Sequence, residues 1–278
     1  ESVRWRLEER GQGISFTEFS YMLLQAYDFY HLYENQGCQI QAGGKDQWGN
    51  ITAGIDLIRR MSGGSAHGLT FPLLTTASGV KIGKTEGAEG AEMIWLDPEM
   101  TSPYRMYQYW INTDDRDVIK FLKLFTFLDL EEISQLEDSL RGNPGAREPH
   151  RTLAFEFTKV AHGEAAARAA REASEVLFGR EVRELSPEAF DALAREVPST
   201  RLSRERLKEG IALADILTDA SLVKSKRAAR DLIGQGGAYV NNRAVKETGG
   251  KLNPDQILSG RAILLRAGKK NYHLLIVE

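Results

Sequence analysis

A chain of 278 residues with 42% hydrophobic and 27% charged content has apolar material for about two domains on the usual prior of ~100 to 200 residues each. Its one cysteine, Cys38, excludes an intrachain disulfide and fits a reducing compartment, and five histidines scattered at 31, 67, 150, 162 and 273 give no metal-ligand spacing. The net charge of -3 hides an asymmetry: residues 211–278 carry 11 basic against 6 acidic side chains, while residues 1–210 carry 25 against 33, so a polyanion suits the C-terminal end.

The chain opens on Glu1, not Met, inside a charged stretch that reads as a helix, which suggests a fragment. No apolar run approaches the ~18 residues of a membrane span, and the first ten residues carry charge where a signal peptide needs apolar ones; a soluble, cytoplasmic protein is expected. Residues 17–34 place Phe19, Met22, Leu23, Ala26, Tyr27 and Tyr30 at helical spacing. On that helix Tyr21, Gln25 and Asp28 fall at i, i+4 and i+7 and share one face. Residues 38–41 read as a short strand running into Gln41 to Asn50, where Gly43, Gly44 and Gly49 let backbone approach a ligand and Asp46, Gln47 and Asn50 supply hydrogen-bonding groups. A helix over 48–61 follows, so strand, glycine loop and helix make a nucleotide-binding half-unit. A strand over 68–75 then leads to Lys81, Ile82, Gly83, Lys84 and Thr85, two lysines flanking a glycine on a loop able to close over phosphates. This is no P-loop, because three residues separate Gly79 from Gly83 where that motif needs four.

Residues 101–178 are helical by pattern, with Tyr104, Tyr107, Trp110, Val118, Phe121, Leu122, Phe125, Leu153 and Phe157 as a core stripe. Between 179 and 210 the pattern weakens around Pro187 and Pro198, and a linker is expected. Residues 213–217 and 225–233 read as short helices, 238–245 as a hairpin turning at Asn241 and Asn242, and 262–265 and 272–277 as strands paired across Gly268 to Lys270.

The stretches 13–29, 41–51, 81–86, 102–117 and 213–278 together resemble a bacterial tyrosyl-tRNA synthetase, a class I aminoacyl-tRNA synthetase, with its beginning missing. Lys81 to Thr85 is similar to that family's version of the Lys-Met-Ser-Lys-Ser signature. The other class I signature, of His-Ile-Gly-His type, is absent; Ala66 to Leu69 is in the wrong place and lacks the second histidine. The fold implied is α/β: the second half of a Rossmann-type domain carrying the lysine loop over 1–100, an α-helical tRNA-binding domain on the anticodon side over 101–178, a linker over 179–210, and over 211–278 a small α+β RNA-binding domain like ribosomal protein S-four. Residues 87–92 look like an insertion relative to the family, and Lys45 stands where it more often has serine.

The resemblance implies roles residue by residue. Tyr21 and Gln25 bind the amino group of L-tyrosine, Asp28 accepts from its phenol, Gln41 lines the pocket and Gln47 lies beside the reacting carboxylate. Gly44 and Asp46 receive the ribose of ATP, while Lys81, Lys84 and Thr85 stabilise charge on its phosphates. Lys224, Lys226, Arg227, Arg230, Arg266, Lys269 and Lys270 meet tRNA(Tyr) through phosphate. ATP comes with Mg2+ as a substrate; no prosthetic group and no protein metal site is expected, and the family's assembly is a homodimer. The rival readings are tryptophanyl-tRNA synthetase, which has no need of Asp28, and a non-catalytic RNA-binding protein derived from a synthetase, against which the retained Asp46, Gln47, Lys81 and Lys84 speak. The 278 residues alone are expected to show no tyrosine-dependent pyrophosphate exchange.

Overall fold

The computed structural model describes residues 15–79 and 93–278, without the side chain of Glu18. The chain divides into two units, residues 1–86 and 87–278. In the first, helix α1 (Phe16–Gln36) precedes strand β1 (Ile40–Gly44), helix α2 (Trp48–Ser62) and strand β2 (His67–Phe71). β1 and β2 pair in parallel from Ile40 opposite His67 to Gly44 opposite Phe71, so β1, α2 and β2 form a β-α-β unit. The strand expected over 38–41 thus lies two residues further on and includes both glycines. Weak strand formers are held extended here by the ladder to β2, which local propensity does not register.

α1 and α2 close on a core of Phe29, Ile58 and Ala66, with Tyr30, Tyr33 and Ile55 against it. Gly54 makes the approach possible: a Cβ there would lie 2.8 Å from the Phe29 ring. Gly68 does the same between β2 and α2, where a Cβ would lie 2.7 Å from Ile51.

The second unit begins with five helices, α3 (Pro103–Ile111), α4 (Asp115–Phe125), α5 (Leu130–Gly142), α6 (Glu148–His162) and α7 (Glu164–Leu177). Ser102 and Asp114 cap the first two, and Asp129 with Glu132 forms a capping box on the third. The aromatic stripe is core: Trp110 packs on Phe121, Phe125 and Phe157 with ring centroids 4.5 to 5.7 Å apart.

Residues 179–210, read from sequence as a linker, hold α8 (Pro187–Glu196), β3 (Ser199–Leu202) and α9 (Arg204–Lys208). Pro187 reads as a break but stands in the first turn of α8 behind the Ser186 cap, where a missing N–H costs nothing. Beyond lie β4 (Ile211–Ala212), α10 (Leu213–Asp219), α11 (Lys226–Gly234), β5 (Ala238–Val240), β6 (Arg243–Val245), β7 (Lys251–Leu252), β8 (Ala262–Ala267) and β9 (Asn271–Val277). Five strands form one sheet in the order β3-β9-β8-β5-β6, with β3 parallel to β9 and the other pairs antiparallel.

Both faces of this sheet are buried, and its two central strands divide their side chains with period two. Ile263, Leu265, Leu275 and Val277 join Leu213, Leu217, Ala229 and Ile233 of α10 and α11 in one core. Ala262, Leu264, Tyr272 and Leu274 join Val176 of α7, Val182, Leu185, and Ala189 and Leu193 of α8 in the other. The supposed linker is therefore core that the sheet shares with the helical region. The hairpin turn locks the junction. Asn241 and Asn242 both have positive φ and are buried, and the Asn242 side chain donates to the carbonyls of Val176 at 2.7 Å and Arg180 at 2.9 Å.

Asn242→Gly keeps the turn's backbone freedom but removes both bonds to buried carbonyls, so urea unfolding should show a loss of about 2 kcal/mol; if only the turn mattered, glycine would be neutral.

Three histidines in this unit are held below their ordinary pKa: His150 by burial and then by Arg147, against the pull of Asp115 at 3.0 Å, and His162 and His273 by burial. The unfolded chain then takes up protons that the folded chain refuses, so stability is whole above the free value of about 6.5 and declines as pH falls below it. Thermal melting from pH 7 to 5 should show that decline, and His150→Gln should flatten it.

Candidate functional site

In the first unit the polar residues gather where β1 ends. After Gly44 the chain makes one 3-10 turn, Lys45–Gln47, and enters α2, the position at the carboxyl end of a parallel strand where α/β sheets receive ligands. Gly44 has extended dihedrals, so it is needed for room rather than for backbone freedom. A Cβ on it would lie 2.6 Å from Asp46 Oδ1, and one on Gly43 would lie 3.1 Å from Gln47 Cβ.

From this turn a run of side-chain hydrogen bonds crosses to α1. Gln47 Nε2 donates to Asp46 Oδ2 at 3.2 Å, Asn50 Nδ2 donates to Gln47 Oε1 at 3.1 Å, and the same Nδ2 donates to Gln25 Oε1 at 3.0 Å. Three residues expected at the site, Gln25, Asp46 and Gln47, are thereby joined. Asn50, noted in the sequence only as a polar group of the loop, is the piece that joins them; its place three residues after Gln47 on a helix was the available signal. Gln41 is half-buried with its Oε1 enclosed and without a hydrogen-bond partner among the described residues. Tyr21, 56% exposed, and Asp28, also exposed, stand on α1 outside this network. Lys45 is exposed. The lysine loop with Lys81, Lys84 and Thr85, and the segment 87–92, lie outside the described residues, and no group of three metal-binding side chains gathers among the described ones.

The second unit carries the basic surface. Lys226, Arg227 and Arg230 lie on α11, while Lys224 precedes its Ser225 cap. All four are exposed, and Lys226 pairs with Asp215 at 3.0 Å. Lysines and arginines at a helix N-terminus oppose the helix dipole, so they do little for the helix and add to its attraction for anions. Lys269 and Lys270 project from the β8–β9 turn behind Gly268, which has positive φ. Arg266 differs from the rest: half-buried, it stacks 3.7 Å above the Tyr239 ring and 5.7 Å from Tyr272, so its cation is engaged in packing. The two hairpin lysines border an open groove of 1110 Å³ whose wall includes Tyr104, Phe178, Thr200 and His273. Phe178 is 71% exposed. Burial, then Glu196 and Tyr272, push the Tyr104 hydroxyl up to about 12, which keeps it a neutral donor.

A parallel β-α-β unit with a polar glycine loop after its first strand, joined in sequence to a helical region and a basic α+β module, is the outline of a class I tRNA synthetase. The family described as tRNA synthetases class I (W and Y) matches residues 1–179, and a tyrosine–tRNA ligase SYY-like C-terminal domain matches residues 189–275. Tyrosine–tRNA ligases of Roseiflexus castenholzii and Geobacillus stearothermophilus are 49% and 50% identical to this chain over 99% of its length, covering 64% and 63% of their own. A solved, C-terminally truncated mitochondrial tyrosyl-tRNA synthetase of Aspergillus nidulans is 37% identical, over 61% of this chain and 47% of that one, with a TM-score of 0.49. The chain belongs to the class I tRNA synthetases of the tryptophan and tyrosine family, and it spans just under two thirds of the length of the curated relatives it matches.

Gly44→Ala should drive the Asp46 carboxylate off Gln47, because its Cβ would fall 2.6 Å from Oδ1. The atom displaced is the end of a flexible, exposed side chain, so the stability change should stay under about 1 kcal/mol. A crystal structure of the variant would show the shift, and melting would show the small cost.

Proposed function

We propose that the protein carrying this chain is a tyrosine–tRNA ligase. The observation that carries the proposal is the hydrogen-bonded run from Gln25 to Asp46, which brings a residue of the α1 polar face to the glycine loop. In this reading Tyr21 and Gln25 take the ammonium group of L-tyrosine and Asp28 accepts from its phenol. Phenylalanine is rejected because it would leave that carboxylate unpaired. Gln41 closes the pocket wall, Asp46 holds the ribose of ATP beside Gly44, and Gln47 faces the tyrosine carboxylate.

The carboxylate oxygen attacks the α-phosphorus, the bond to pyrophosphate breaks, and tyrosyl-adenylate forms without a covalent enzyme intermediate. Holding the two reactants together supplies much of the rate, and Lys81, Lys84 and Thr85 offset charge growing on the leaving phosphates. Mg2+ enters with the ATP. A hydroxyl of the terminal adenosine of tRNA(Tyr) then attacks the adenylate's carbonyl carbon, the anhydride bond breaks and AMP leaves, while the second unit grips the tRNA through phosphate at Lys224, Arg227, Arg230, Lys269 and Lys270. The aromatic wall of the nearby groove suits a base out of its stack. The reaction takes place in the cytoplasm.

The full-length protein should exchange pyrophosphate into ATP when given tyrosine and not when given tryptophan or phenylalanine. Exchange driven by tryptophan would reassign the substrate, and no exchange with any amino acid would favour an RNA-binding protein. Arg227→Ala with Arg230→Ala should weaken tRNA binding and lower the slope of log K against log salt by about 2, one for each phosphate that is no longer neutralised, leaving tyrosine exchange intact.

A further inference from the structure

Asn50 belongs to none of the roles assigned above, yet its amide nitrogen is bonded on two sides, to Gln25 at 3.0 Å and to Gln47 at 3.1 Å. The polarity of this run is forced. A carboxylate only accepts, so the atom of Gln47 that faces Asp46 must be its nitrogen. The Gln47 oxygen then faces Asn50, which must donate to it. The same nitrogen spends its second hydrogen on Gln25, so Gln25 presents an oxygen.

We propose that Asn50 is a positioning residue that sets the two glutamines in opposite sense to match the charged head of an amino acid. The proposal rests on the ligase reading. With Asn50 donating to both oxygens, Gln25 keeps a free lone pair on Oε1 for an ammonium group, and Gln47 keeps one N–H for a carboxylate. Reversing Asn50 would turn both amides round and set like against like.

Asn50→Asp makes that reversal at almost constant volume, and Asn50→Ala removes the donor while keeping a strong helix former in α2. In tyrosine-dependent pyrophosphate exchange by the full-length protein, Asn50→Asp should raise KM for tyrosine about 10- to 100-fold, as loss of a hydrogen bond to a charged group does. Asn50→Ala should raise it less, with KM for ATP within about threefold and the melting temperature within a few degrees of wild type in both. In a Gln25→Ala, Gln47→Ala background, Asn50→Ala should add less than about twofold, because its targets are gone. An unchanged tyrosine KM in both single variants, or an undiminished effect in the double-alanine background, would overturn the positioning role and leave the ligase reading standing. A wild-type protein without tyrosine-dependent exchange would overturn both.

Discussion

Burial of one sheet on both of its faces is the constraint on which the second unit depends. A strand buried on both sides needs apolar residues at every position, and β8 and β9 answer with Ala262 to Leu265 and with Leu274 to Val277. One face is covered by α10 and α11, which follow one another closely in sequence. The other is covered by α7 and α8, which precede the module. The α+β module and the helical region are thus not two bodies on a tether. Arg266 over Tyr239, and the Asn242 amide nitrogen donating to the end of α7, fasten the same seam with polar groups.

In the first unit the corresponding constraint is room. Gly54 and Gly68 let helix and strand close on Phe29 and Ile51, and Gly44 leaves space for a carboxylate. None of the three has positive φ, so each is there for what a side chain would strike. The polar run from Asp46 to Gln25 is built on that close approach, since it spans from the loop after β1 to α1 by way of one residue on α2.

The features legible in the sequence were those written locally. The turn at Asn241 and Asn242, the β8–β9 pair and the aromatic core around Trp110 all follow from short-range patterns: two residues that tolerate positive φ, short continuous apolar runs around a glycine, and rings at helical spacing. Features depending on a distant partner were not. β3 is a four-residue strand with three exposed positions, and only its pairing with β9 makes it one. Val182, Leu185, Ala189 and Leu193 look sparse until the face of the sheet they cover is known. At the site, residue types and spacing suggested Gln25, Asp46 and Gln47, whereas the bridging part of Asn50 appears only once α1 and α2 are side by side. Arg266, grouped with the hairpin lysines by the resemblance, is half-buried over two aromatic rings, a packing that a linear sequence does not display.

A sheet that is apolar on both faces gives up one safeguard. In a one-sided sheet a slip by one residue throws the hydrophobic set into water and is rejected at once. In β8 the same slip would exchange Ile263 and Leu265 for Ala262 and Leu264, and every position would still be greasy. Asn241 removes the ambiguity, because its backbone N–H donates to the Leu264 carbonyl at 2.7 Å while its side-chain oxygen accepts from the Leu264 N–H at 2.9 Å. One asparagine thereby acts as an alignment peg, telling two oily strands which of their near-equivalent pairings is the native one.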